Sequence, residues 1–211
     1  MNNKYMSVHL ESQQVIRHIG IDLDNTIIDY TKSFIEIGRD FGFKPNSTRE
    51  SIRKALRRTD GTDDLWQEFQ SLLYTRGLDF AELAPSAKTF MSLARKKGIE
   101  VSIVSHKSRT TQERFGGQDL RGPALDWLRK HQLIPQIVDE KALHFTSTQE
   151  KKIKKIIELR IDFFIDDLEE VIQKLVETAS LKTWHFSLKS KQNESGDFQD
   201  LLDKFGFDHA S

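Results

Sequence analysis

"HIGIDLDNTIIDY", residues 18–30, decides the fold. It opens as an apolar run of strand length, yet the run ends in Asp22 and Asp24, with Asp29 just beyond. Two like unit charges about 4 Å apart repel by roughly 4 kcal/mol even at an effective dielectric near 20. A core strand that ends in acids therefore needs something to compensate them. "FFIDDLEEV", residues 163–171, repeats the arrangement with Asp166 and Asp167. In an open parallel sheet all strands point the same way, so two such strand ends can meet at one edge and bring four carboxylates together. A hard divalent cation with oxygen ligands, typically Mg²⁺, is the natural compensation, because it binds one or two carboxylates plus water and phosphate oxygens.

The rest of the chain supplies the sheet that this reading requires. Short apolar runs at "IGIDL" (19–23), "IEVSIVS" (99–105), "FFID" (163–166) and "KTWHFS" (182–187) alternate with segments of helical length. That alternation predicts crossover units and a parallel sheet in a three-layer, Rossmann-like α/β core. Pro85 precedes a helical segment with basic residues in its last turn and Gly98 beyond it, and a second such segment starts at Pro123. Residues 31 to about 80 break the pattern. They read as three helical segments, near 31–41, 48–58 and 63–76, with apolar positions such as Phe34, Ile37, Trp66, Phe69 and Leu73 on one face of each. "NST" at 46–48 reads as the cap of the second. The expected organisation is a core of residues 1–29 and 81–211 with an all-helical insertion, residues 30–80, above the edge where the first strand ends.

Composition limits the setting. The 211 residues contain 32 Lys plus Arg and 32 Asp plus Glu, a formal net charge of zero, so nothing global asks for a nucleic acid partner. There is no cysteine, which removes disulfides and thiolate metal sites. The first 15 residues lack the apolar stretch of a signal peptide, and no run approaches a membrane span. The expectation is a soluble cytoplasmic protein with no membrane partner. Its seven histidines show no metal-binding spacing.

With these residues in place, the sequence resembles the haloacid dehalogenase superfamily of phosphohydrolases. The match covers residues 15 to about 190, with "DLDNT" as the first motif, the end of "VSIVS" as the second and "FIDD" as the fourth. The resemblance implies an aspartyl-phosphate mechanism. Asp22 would attack phosphorus, and Asp24 would act as general acid on the leaving group, then as base on water. Ser105 would donate a hydrogen bond to a phosphoryl oxygen. The third motif needs a lysine at the start of the helix before "FFIDD", and "EKKIKKIIEL" offers Lys151, Lys152, Lys154 and Lys155. Lys152 best fits the family's spacing, with Lys151 second. Magnesium would be held by a side-chain oxygen of Asp22, the backbone carbonyl of Asp24 and the carboxylate of Asp166, while Asp167 would bind a metal-bound water or orient the lysine. Because Asp24 follows two residues after Asp22, the resemblance favours phosphate esters over carbon–halogen bonds, as an alkoxide leaving group needs a proton. The helical insertion corresponds to the family's cap, which implies a small phosphorylated metabolite as substrate.

Other residues have weaker claims. Thr26 of the first motif, and His106, Lys107 and Arg109 in the polar stretch after Ser105, are candidate substrate contacts, although a surface loop explains the stretch equally well. The tryptophans read as core aromatics. Two other functions fit the same motifs: a phosphotransferase or mutase, and a non-catalytic module that binds a phosphorylated ligand. Nothing in the sequence specifies the substrate or the oligomeric state.

Overall fold

The structure, a computed structural model, describes residues 15–58, 63–179, 181–187 and 195–207. Most of the stretch read for a signal peptide, residues 1–14, lies outside the described residues. In chain order the elements are β1 (His18–Ile21), β2 (Ile28–Asp29), α1 (Thr31–Asp40), α2 (Arg49–Arg58), α3 (Asp64–Leu73), β3 (Glu82–Leu83), α4 (Ala87–Lys96), β4 (Glu100–His106), α5 (Arg121–Lys130), β5 (Leu143–Thr146), α6 (Gln149–Glu158), β6 (Phe163–Asp166), α7 (Glu169–Ala179), β7 (Lys182–Phe186), β8 (Ser195–Gly196) and α8 (Phe198–Phe205).

Six strands form a parallel sheet in the order β5-β4-β1-β6-β7-β8. From β1 the chain builds outward through β4 and β5, then crosses to the other side with β6, so β1 sits at the reversal. Ligands of open α/β sheets bind at the carboxyl ends of the strands beside such a reversal. The alternation of side chains along each strand separates two apolar layers. Ile19, Ile21, Val101, Ile103, Phe163 and Ile165 face one layer, shared with Phe90 of α4 and Phe198 of α8. Val104 and Phe164 face the other, with Ile153 and Ile156 of α6 and Val171 and Leu175 of α7. The three-layer α/β core is therefore present. Among the described residues, no helix is long and apolar enough to cross a membrane.

Gly20 shows how closely the second layer approaches. A Cβ built there would lie 2.5 Å from Ile161 Cδ1 and 2.6 Å from Phe164 Cδ2. Only a residue without a side chain lets the turn after α6 pack on the central strand.

All four strands read from the sequence are present, β6 with the expected bounds and the others with ends shifted by at most two residues. Two sheet strands were not foreseen. β5 is a half-buried edge strand whose "LHFT" mixes polar and apolar residues, and β8 is two residues long. A separate antiparallel ribbon pairs β2 with β3, Ile28 opposite Leu83 and Asp29 opposite Glu82. The second helix begins as expected, with Thr48 Oγ1 accepting from the Ser51 amide at 3.1 Å. The third ends at Leu73 rather than 76, and a short 3-10 turn follows at Arg76–Asp79. Helix α5 starts at Arg121, two residues before Pro123, because Asp119 accepts hydrogen bonds from the amides of Arg121 and Gly122. Between β2 and β3, α1 packs on α3 through Phe34, Trp66 and Phe69, whose rings lie 5.2–6.4 Å apart, and α2 adds the buried Ile52 and Leu56 to the same core.

Gly20→Ala should overpack this contact and lower stability by about 1–3 kcal/mol, read as a shift of the urea midpoint at constant slope. An unchanged midpoint would refute the close approach.

Candidate active site

The acids at the strand ends meet as the sheet geometry requires. β1 and β6 are neighbours, with Ile21 opposite Ile165, and the Asp22 amide continues the ladder to the Ile165 carbonyl at 2.9 Å. Asp22 and Asp166 thus emerge side by side. Both are buried, and Asp167 is half-buried next to them. Their carboxylate oxygens lie within 4.8 Å of one another.

Lys152 joins the cluster from α6. Its Nζ donates to Asp22 Oδ1 at 2.5 Å and to Asp166 Oδ2 at 2.6 Å, and the side chain is fully buried. Asp166 Oδ1 accepts from the Leu168 amide at 2.9 Å. The choice among the lysines follows from the helix. Thr148 caps α6 by accepting from the Lys151 amide, which leaves the Lys151 side chain exposed on Ser147 while Lys152 turns inward. The Lys152 amide already bonds the Thr148 carbonyl, so this residue offers its ammonium, not a free helix-end amide. Asp167 does not contact the lysine.

One ammonium cannot neutralise three carboxylates. Burial, opposed by the Lys152 charge and reinforced by Asp166, Asp167 and Asp24, pushes the Asp22 carboxyl well above its usual range. Burial and then the charge of Asp166 push Asp167 from its ordinary 3.8 up to about 7. The same two attractions, from Asp22 and Asp166, overcome desolvation and raise Lys152. The donor set, all hard oxygens with uncompensated negative charge, fits a divalent cation such as Mg²⁺.

Asp24 occupies a different place. Its carboxylate lies outside the three-acid cluster and accepts from Tyr30 Oη at 2.8 Å and from Lys107 Nζ at 2.8 and 3.0 Å. Burial and the neighbouring Asp24 charge raise the phenols of Tyr30 and Tyr74, keeping both protonated. Lys107, a candidate substrate contact, is buried against Asp24 with its ammonium 4.3 Å from the Tyr74 ring centroid, and it also borders a cavity. Ser105 is the penultimate residue of β4, beside β1, and its buried Oγ has no hydrogen-bond partner among the described residues, as befits a hydroxyl that serves a ligand.

Two adjoining cavities open over these groups. One, of about 210 Å³, is bounded by Asp22, Asp24, Ser105, Lys152 and Asp167 below and by side chains of α2 and α3 above. The other, of about 330 Å³, runs from Asp24 and Lys107 along the 106–115 loop. His106 lines both. Two candidates fall outside. Thr26 is fully buried beneath the loop and lines neither cavity, because Leu23 accepts from the Ile27 and Ile28 amides in a turn that carries Thr26 inward. Arg109 is exposed and lines neither, since its backbone pairs with Leu120 in the loop. The sequence reading also passed over Arg49, Arg53 and Arg57, which line the smaller cavity from α2. Their spacing of four was the available signal.

The fold and this site define a class. Protein tyrosine kinase A of Mycobacterium tuberculosis is similar with a TM-score of 0.64 at 12% identity, over 90% of this chain and 98% of that one. A HAD-superfamily hydrolase of Geobacter sulfurreducens gives 0.56 at 14%, over 90% and 97%. Another from Ehrlichia chaffeensis gives 0.55 at 19%, over 93% and 98%. No protein-family model matches the chain, and no curated protein matches it by sequence. The chain has the haloacid dehalogenase-like fold, shared along nearly its whole length.

The titration of Asp167 gives a pH test on chelator-treated protein. The native state holds a proton up to about pH 7 that the unfolded chain releases near 3.8. Stability should therefore fall as pH rises between those values. Asp167→Asn removes that loss, so it should raise the unfolding midpoint at pH 8, with less than half of the gain left at pH 5. Equal gains at both pH values would show that Asp167 is not a strained carboxylate.

Proposed function

We propose that this protein is a Mg²⁺-dependent phosphatase that hydrolyses a small phosphate monoester through an aspartyl phosphate on Asp22. One observation carries the reading: Asp22, Asp166 and Asp167 converge with Lys152 at the carboxyl edge of the sheet, beside the unpartnered hydroxyl of Ser105. Asp22, Asp166 and the backbone carbonyl of Asp24 would hold the ion, with Asp167 beside it. When bound, magnesium supplies positive charge against the phosphoryl oxygens.

The protein's own groups account for the remaining needs of phosphoryl transfer, which are mainly positioning and charge stabilisation. Lys152 fixes Asp22 with one carboxylate oxygen engaged, leaving the other to form a bond to phosphorus as the ester P–O bond breaks. Asp24 gives a proton to the departing alkoxide. It then takes one from water, which attacks phosphorus and breaks the bond to Asp22, releasing phosphate. Tyr30 and Lys107 orient Asp24 for both steps. Ser105 donates to a phosphoryl oxygen. Residues 30–80 act as a cap that excludes bulk water during the first step, over a core of residues 1–29 and 81–211. His106, on both cavities, contacts substrate.

A second reading, transfer to an acceptor other than water, draws on the likeness to a protein tyrosine kinase. Competing alcohols separate the two, since transfer yields new phosphate esters in place of inorganic phosphate.

With magnesium, the parent protein should release phosphate from p-nitrophenyl phosphate, and Asp22→Asn should reduce turnover at least a thousandfold while circular dichroism stays unchanged. Retained turnover would remove the nucleophile assignment. Asp24→Asn should slow alkyl phosphates far more than p-nitrophenyl phosphate, whose leaving group needs little protonation. Equal losses across leaving groups would contradict the acid role.

A further inference from the structure

The geometry points to a substrate with a second oxyanion group, a phosphate or carboxylate, at the end remote from the scissile phosphate, bound by Arg53 and Arg57 with Arg49 between the two sites. This rests on the phosphatase reading above and names the substrate class for that site.

The three arginines stand at successive positions i, i+4 and i+8 of α2, so they form one stripe in which neighbouring Cα atoms are separated by about 6 Å along the axis. Ile52 and Leu56, three positions after Arg49 and Arg53, are buried on the adjoining face, so the edge of the helix that carries the arginines borders the cavity they line. Arg49 is nearest the acids, since its charge reaches Asp167 and Tyr74. Arg53 and Arg57 follow one and two turns further on. Among the described residues none of the three forms an ion pair with a carboxylate.

What holds them is aromatic. The Arg49 guanidinium lies 5.1 Å from the Phe34 ring centroid, and those of Arg53 and Arg57 lie 5.9 and 5.4 Å from that of Trp66. Stacking engages the flat face of a guanidinium and leaves its in-plane N–H donors free, in the fork that matches carboxylate and phosphate oxygens. Three guanidinium groups, with no ion pair among the described residues, thus line a cavity whose floor carries the proposed reacting groups. These exposed guanidinium groups would attract an anionic tail, gain nothing from a neutral one and repel a cationic one.

The test compares 1,6-hexanediol bisphosphate, 6-phosphonooxyhexanoate and hexyl phosphate as substrates of the magnesium-loaded protein. The two esters that carry an oxyanion at the remote end should exceed hexyl phosphate in kcat/KM by roughly tenfold or more per engaged arginine. The Arg53→Gln/Arg57→Gln variant should lose that advantage, with a greater loss for the bisphosphate than for hexyl phosphate, and Arg57→Lys should restore it only in part. Equal kcat/KM for all three esters, or a variant that leaves the ratio unmoved, would overturn the inference while leaving the phosphatase reading intact. Calorimetric titration of Asp22→Asn with the same compounds reads binding without turnover. Should the parent protein hydrolyse nothing, p-nitrophenyl phosphate included, that reading falls. Tighter binding of the bisphosphate than of hexyl phosphate, lost in the arginine variant, would still sustain the anion site, and equal binding would remove it.

Discussion

Everything at the functional edge of this protein depends on one buried ammonium. Lys152 reaches from the first turns of α6 to bridge Asp22 and Asp166, the terminal acids of two adjacent strands. Removing charges from water is costly, and a buried pair is tolerated only where geometry and further hydrogen bonds repay the desolvation. Here the repayment is visible: Asp166 uses its second oxygen on a backbone amide, and Asp22 lies in register with the sheet. What stays uncompensated is the cost of ionising Asp22 and Asp167, set by burial above all. The fold thus holds together a cluster that is stable enough to persist and charged enough to demand a cation.

The same edge separates two kinds of carboxylate. Asp22 and Asp167 sit in mutual repulsion and desolvation, while Asp24 sits two residues away in a cage of Lys107, Tyr30 and Tyr74. In the proposed reaction these different surroundings match different tasks, one group to form a bond and another to carry a proton. Helices α2 and α3 roof both sets, and their aromatic packing holds side chains over the site.

Much of this was legible in the sequence. The apolar runs ending in acids gave β1 and β6 and the meeting of Asp22 with Asp166, because parallel strands share a direction whatever their order. Lys152 could be ranked but not chosen by composition, since four lysines shared the segment. The cap at Thr148 decided between neighbours by turning Lys151 outward. Strands with a well-buried apolar run or alternation were readable, whereas β5 and β8 were not, as one is only half-buried and mixes polar residues and the other has two residues. Thr26 and Lys107 show the other limit: whether a polar residue faces a cavity or the interior depends on a turn or on a partner 83 positions away, as with Lys107 and Asp24. The stripe of Arg49, Arg53 and Arg57 was written plainly at helical spacing, but only the cavity gave it meaning.

The small ribbon of β2 and β3 has a wider consequence. The chain departs from the core after Asp29 and comes back at Glu82 through two backbone segments that pair with each other. Whatever lies between them enters and exits through one doorway. The strand order of the parallel sheet therefore does not depend on what the intervening helices carry, so substitutions at their cavity-facing positions can change the lining while Asp22 and Asp166 keep their places at the strand ends.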